Sequence, residues 1–248
     1  MSKEQRTCIY CRTLTSGAEG FAHIIPEAVL QNEWTLARGA VCDHCNNYLG
    51  ELDAALVQYP PVSILAQFFA LPGKRGVPRH ALGGIALTVR GDGKRDIELT
   101  AHDPEYRVNA EGKNTVRVLL MPPPTFDLLK YRRALHHIAF NAVASIVGEA
   151  QVLRPEFDSL RKYLRSPKRG EAWTYAEAMA PTDERWRLRV GWPYENDQNF
   201  AKIDLGLIVA VVGLHPDQDF APIKRAGFSI IDPSVVQGSG FGLTHVAD

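Results

Sequence analysis

Two Cys-x-x-Cys pairs, Cys8-Ile9-Tyr10-Cys11 and Cys42-Asp43-His44-Cys45, hold all four cysteines of the 248-residue chain. Thiolates are soft ligands, and four of them delivered by two tight turns make the tetrahedral sulfur shell that suits zinc. The competing reading is redox chemistry or free thiols. No cysteine is left over from the pairs, which favours the metal. The pairs therefore predict one structural zinc ion, with Cys8, Cys11, Cys42 and Cys45 as its ligands. Four sulfurs complete that shell, so His44, inside the second pair, is expected to be solvated.

Thirty residues separate the pairs, and they contain Ala22-His23-Ile24-Ile25-Pro26-Glu27. The second pair runs directly into Asn46-Asn47, with Gly50 and Asp53 beyond. A lone histidine on a strand is ordinarily a packed or surface residue. Imidazole is also the side chain suited to take a proton from water near neutral pH. Asn46, by itself, reads as a cap on the helix that leaves the knuckle.

In their order, the two knuckles, His-Ile-Ile-Pro-Glu, Cys-Asn-Asn, Gly50 and Asp53 resemble the HNH endonucleases. These are the ββα-metal or His-Me finger nucleases, here in the subtype with a four-cysteine zinc site. The resemblance covers about residues 8–56. It implies a treble-clef-like ββα module whose zinc is structural, with His23 as general base in phosphodiester hydrolysis. It also implies that Asn46 holds a catalytic divalent ion, Mg²⁺ or Mn²⁺, through its side-chain oxygen, and that the substrate is DNA. The chemistry has a physical logic, since hydrolysis needs an activated water and neutralisation of charge at the phosphate. The family usually carries Asp or Glu just before the histidine as a second metal ligand, and Ala22 stands there in this chain. Three consequences stay open. Another oxygen fills the place (Glu27, Asp43, Asn47 or Asp53), or the ion is held weakly. Otherwise the module no longer cleaves, and binds nucleic acid or a protein partner instead.

These residues need elements to position them. Phe21 to Ile25 reads as a short strand, and Pro26 opens a short helix through Leu30. A helix is expected from Asn46 to Leu56 despite Gly50. Tyr59-Pro60-Pro61 breaks it, which divides the chain into a zinc module, residues 1–58, and an α+β domain of unassigned function, residues 59–248. In the second part a helix is expected over Val62 to Leu71. Strands are expected over Gly84 to Arg90, Arg95 to Thr100 and Thr115 to Met121, the first two joined by a Gly91-Asp92-Gly93 turn. The strongest periodicity (Leu128, Leu135, Ile138, Ala142, Ile146) predicts a helix over Phe126 to Val147, capped by Thr125 and stopped by Gly148. Its His136-His137 pair is expected in or near the core. A helix over Pro155 to Leu164 and strands over Trp186 to Gly191 and Leu205 to Val212 complete an α+β pattern.

Twenty-eight basic and twenty-eight acidic side chains leave no net charge, so whole-molecule charge does not argue for a nucleic-acid partner. Residues 1–58 carry four basic against seven acidic side chains, 4 − 7 = −3. The densest basic segment runs from Arg161-Lys162 through Arg165 to Lys168-Arg169. It is either a solvated helix end or a strip that contacts a nucleic-acid backbone. The longest apolar run, Leu205 to Leu214, is far short of the roughly 20 residues of a membrane span. No apolar segment follows Met1 as in a secretion signal, so a cytoplasmic location is expected.

Overall fold

The computed structural model describes residues 5–15, 20–27, 29, 34–63, 126–179 and 188–233, and four further strands by their backbone alone. The first knuckle sits at the tip of a hairpin. Strand β1 (Arg6–Thr7) pairs antiparallel with β2 (Leu14–Thr15), Arg6 opposite Thr15 and Thr7 opposite Leu14. Between them Cys8 N–H donates to the Thr13 carbonyl and Arg12 N–H to the Cys8 carbonyl. The chain returns through a single antiparallel bridge of His23 with Thr35. Ile24 N–H donates to Trp34 and Leu36 N–H to Ala22 on either side of it. This bridge is what the expected strand at Phe21 to Ile25 amounts to. Its side chains alternate, with Ala22, Ile24 and Leu36 buried and Phe21 exposed. Val29 N–H then closes a turn on the Pro26 carbonyl, while Ala28 and Leu30 of the expected short helix lie outside the described residues.

Helix α1 (Asp43–Gln58) starts inside the second knuckle, earlier than expected. Its N-cap is Cys42, whose sulfur accepts from the Cys45 N–H. The knuckle turn and the helix start are thus one structure. Cys45, Leu49, Leu52 and Leu56 recur at helical spacing and face the core. Tyr59 leaves the helix in an extended conformation ahead of the prolines. Residues 60–63 are helical again, and the rest of the helix expected to Leu71 lies outside the described residues.

Two backbone-defined hairpins follow. Strand β3 (Ile85–Val89) pairs with β4 (Arg95–Leu99), and β5 (Glu105–Val108) with β6 (Asn114–Arg117). The first pair was expected. Its turn at Gly91-Asp92-Gly93, and residues 118–121 of the expected third strand, lie outside the described residues.

Helix α2 (Leu128–Val147) is the central element. Asp127 caps it by accepting from Lys130 N–H at 3.0 Å; the expected cap, Thr125, lies outside the described residues. Gly148, at φ 89°, ends it. From Tyr131 to Ala144 every side chain is buried, because α1 covers one flank and the C-terminal elements the others. Those elements are α3 (Glu149–Val152), a 3₁₀ turn at Pro155–Phe157, α4 (Asp158–Arg165) and an antiparallel five-stranded sheet. Its strands are β7 (Tyr175–Met179), β8 (Leu188–Gly191), β9 (Phe200–Leu205), β10 (Ile208–Gly213) and β11 (Ser229–Ile231), in the order β11-β7-β10-β9-β8. The expected strand Leu205 to Val212 is β10, preceded by the turn that joins it to the end of β9. Gly206, at φ 84°, turns the chain, and Asp204 pairs with Val209. Strand β10 is buried along its whole length. Helix α2 packs against it, and Val211 joins a small cluster with Phe200, Phe220 and Ile223, the last from α5 (Ala221–Arg225).

The fold is mixed α+β with the four cysteines at its N-terminal end. One core runs without a break from Cys8, Ile9 and Tyr10 through α1 and α2 to the sheet. No helix among the described residues is long and apolar enough to cross a membrane.

Candidate metal centre and the His23 face

The β1–β2 turn and the first turn of α1 bring the four sulfurs of Cys8, Cys11, Cys42 and Cys45 within 4.8 Å of one another. A tetrahedral metal with metal–sulfur bonds of about 2.3 Å sets its sulfurs about 3.8 Å apart. Cys11 Sγ and Cys42 Sγ lie at 3.6 Å, so the set fits one such ion. Cys42 N–H donates to Cys8 Sγ at 3.4 Å and Cys45 N–H to Cys42 Sγ at 3.5 Å. The Cys45 side chain, by hydrogen bonding, pulls the Cys8 thiol down to about 4. The same bond, helped by burial, pushes Cys45 up, and burial raises Cys42. Sulfurs this close ionise together only against a cation. Among the described residues this is the one cluster of His, Cys, Asp or Glu side chains able to hold a metal. His44 is exposed, as expected.

His23 is half-buried. Its Nε2 faces Glu27 Oε2 at 3.9 Å, while Nδ1 is buried without a hydrogen-bond partner among the described residues. Asn46 is half-buried, one turn along α1 from the exposed Asp43. Both reach toward Gly20, where an added Cβ would lie 3.4 Å from Asp43 Oδ1 and 3.5 Å from Asn46 Nδ2. The segment that leads into His23 therefore lies against the first turn of α1. Ala22 does not open toward a metal; it is buried with Ile24 and Leu36. Of the other oxygen-bearing side chains considered from sequence, Glu27 stands by His23, Asp43 by Gly20, and Asn47 is exposed. Asp53 is about 10 Å along the helix axis from Asn46. It is turned to His137, with Oδ1 at 3.7 Å from Nδ1.

Sequence reasoning missed the residue that holds this face in place. Tyr10, in the first knuckle, donates its hydroxyl to Asn141 Oδ1 at 2.6 Å. Asn141 Nδ2 donates to the His23 carbonyl at 3.1 Å and lies 3.1 Å from His137 Nε2. A carbonyl only accepts, so the amide nitrogen must face His23. The His137 nitrogen it meets is then unprotonated, and the ring proton sits on Nδ1, toward Asp53. One amide on α2 thus registers the knuckle against the His23 bridge. The available signal was small: a polar residue one helical turn from His137 on the most apolar helix.

The basic strip is only partly what its sequence suggested. Arg161 is buried and donates to the carbonyls of Val152 and Arg154 and to Asp158. It braces the α3–α4 connection and is not open to a ligand. Lys162 is exposed and Arg165 half-buried. Compared with known proteins, the chain matches no family model, no curated protein and no solved structure.

Proposed function

We propose that residues 1–58 form a treble-clef-like ββα zinc module of HNH type. On this reading the chain is a metal-dependent endonuclease that hydrolyses DNA phosphodiester bonds. The observation that carries it is the meeting of the His23 segment with Asp43 and Asn46 at Gly20. There the chain three residues before His23 comes against two oxygen-bearing side chains of α1, and the sulfur cluster joins α1 to the β1–β2 turn. Zinc in that cluster is structural, because four sulfurs leave no open position.

His23 is the general base. Its Nε2, with Glu27 Oε2 at 3.9 Å, takes the proton of the attacking water. Asp43 takes the part that Ala22 lacks, and with the Asn46 side-chain oxygen it would hold Mg²⁺ or Mn²⁺. When bound, that ion neutralises charge at the phosphate. Asn141 keeps the His23 bridge in place through its carbonyl.

The test is the divalent-ion dependence of supercoiled-plasmid nicking. Nicking should start only when Mg²⁺ or Mn²⁺ is added. Asp43→Asn should raise the ion concentration for half-maximal cleavage by about fivefold or more, as expected when a charged ligand to a hard cation becomes neutral. An unchanged titration would remove Asp43 from the site. Absence of nicking with any divalent ion would favour a second reading, which the buried Ala22 supports. There the module is a catalytically impaired HNH relative that binds nucleic acid or a protein partner.

A further inference from the structure

Phe21 and His23 alternate with buried Ala22 and Ile24, so they project from the same side of the bridge. Phe21 is 48% exposed. The Arg38 guanidinium lies over its ring, 4.8 Å from the centroid. The other described basic side chains of the module are already committed, Arg6 to Glu149 and Arg12 to Asp158. Arg38 alone has no carboxylate partner among the described residues. The His23 face thus carries a half-exposed aromatic ring with, over one side of it, a guanidinium that has no carboxylate partner among the described residues.

We propose that this ring and guanidinium form a stacking site for an unpaired nucleotide, so that the ligand of the His23 face is single-stranded or locally melted nucleic acid. A nucleotide offers both complements in one repeating unit, a planar base for Phe21 and a phosphate for Arg38. A duplex hides its base faces inside the stack and presents only phosphates to such a site. An apolar protein side chain would use the ring and leave the cation unanswered. Stacking with one placed cation also lets a module with an acidic excess hold a polyanion without the broad basic field that duplex binders use. The proposal deepens the nuclease reading by naming its substrate class, and binding tests it without any cleavage.

The experiment measures fluorescence anisotropy of the full chain with no divalent ion added. Three labelled ligands of about twenty units are compared: oligothymidylate, the corresponding duplex, and an abasic phosphodiester of equal charge. Oligothymidylate should bind about tenfold or more tighter than the other two. Phe21→Leu keeps apolar bulk but removes the aromatic face, and it should weaken oligothymidylate binding by about five- to a hundredfold; Phe21→Trp should preserve it. Arg38→Gln should weaken binding and make it less salt-dependent, by about one phosphate contact. Unchanged zinc content in the exposed-site variants shows that the module is intact. Equal affinity for the abasic strand, preference for the duplex, unaltered binding by Phe21→Leu, or no nucleic-acid binding at all would each overturn the proposal. A chain that holds oligothymidylate through Phe21 but nicks nothing would uphold it while the nuclease reading fails.

Discussion

The four sulfurs at one end of the core and Glu177 at its other side both bury groups that ionise, and the fold answers them in different ways. Glu177, on β7, accepts from the Tyr131 hydroxyl at 2.6 Å and from the Tyr59 hydroxyl at 3.0 Å. Burial pushes its carboxyl up to about 7, and the two tyrosines oppose that rise. The carboxyl is therefore satisfied by neutral donors of its own fold, at some cost once it ionises. The sulfur cluster has a few backbone N–H groups, the Thr13 hydroxyl beside Cys11 and one another, and four thiolates together would need a cation from outside. Glu177 makes stability depend on protons, while the sulfur cluster is placed to take a metal.

The largest expected effect follows from that difference. Removing the metal, or making Cys42→Ser, should destabilise the N-terminal part by an amount of order 10 kcal/mol, the scale of structural zinc binding. Thermal unfolding combined with elemental analysis would show this. A Cys42→Ser protein as stable as the parent would mean that the sulfurs are satisfied without a metal. Next in size is a buried anion given neither answer. Ala22→Asp places a carboxylate among Ile24 and Leu36, away from both the tyrosines and the sulfurs. It should cost about 3 kcal/mol or more in chemical denaturation, and near-parental stability would show that position 22 opens to water.

The Glu177 carboxyl rises from its ordinary 4.5 to about 7, so between those pH values the folded chain binds more proton and stability falls as pH rises. His136 opposes it. Burial drives its imidazole from 6.5 down to about 4, so the unfolded chain binds more proton across that window and stability rises with pH. From about pH 4.5 to 6.5 the two trends nearly cancel in the parent. Glu177→Gln should expose the rising trend, and His136→Phe the falling one. Each should amount to about 2 kcal/mol between pH 5 and 6.5 in urea unfolding. A Glu177→Gln profile parallel to that of the parent would contradict the assignment.

Smaller again is the neutral clamp between the first knuckle and the His23 bridge. Asn141→Leu leaves the Tyr10 hydroxyl and the His23 carbonyl without the amide. It should cost about 2 kcal/mol, the scale of stranding buried polar groups, without loss of zinc. Loss of zinc in Asn141→Leu would show that α2 supports the sulfur cluster directly.

What the sequence disclosed follows the range of each interaction. The sulfur pairs were legible because two ligands three residues apart declare themselves within one turn. Helix α2 was legible from its periodicity, though its cap, Asp127, lies two residues past the one expected. Strands β1 and β2 were not, since two residues each carry no alternation and their pairing is set by the knuckle turn between them. Cys42 as the cap of α1 escaped because its sulfur does the work usually read from Ser or Asp. The β9–β10 hairpin was hidden because β10 is buried along its whole length, so the apolar run continues from the end of β9 with Gly206 as the mark of the turn. At the site, order alone marked His23 and Asn46 as candidates, and the cysteine cluster was nameable from spacing alone. Asn141 was not, because no local pattern reports a hydrogen bond that spans 118 residues.

The nuclease reading meets its most direct test in the nicking rate of His23→Ala against the parent, in Mg²⁺ and at equal zinc content. The hydrogen bond from Asn141 goes to the His23 backbone, so the substitution should leave the bridge and the fold intact. Nicking should fall by about a hundredfold or more, the loss expected for a general base. Equal nicking by the two proteins would contradict the assignment of the chemistry to His23.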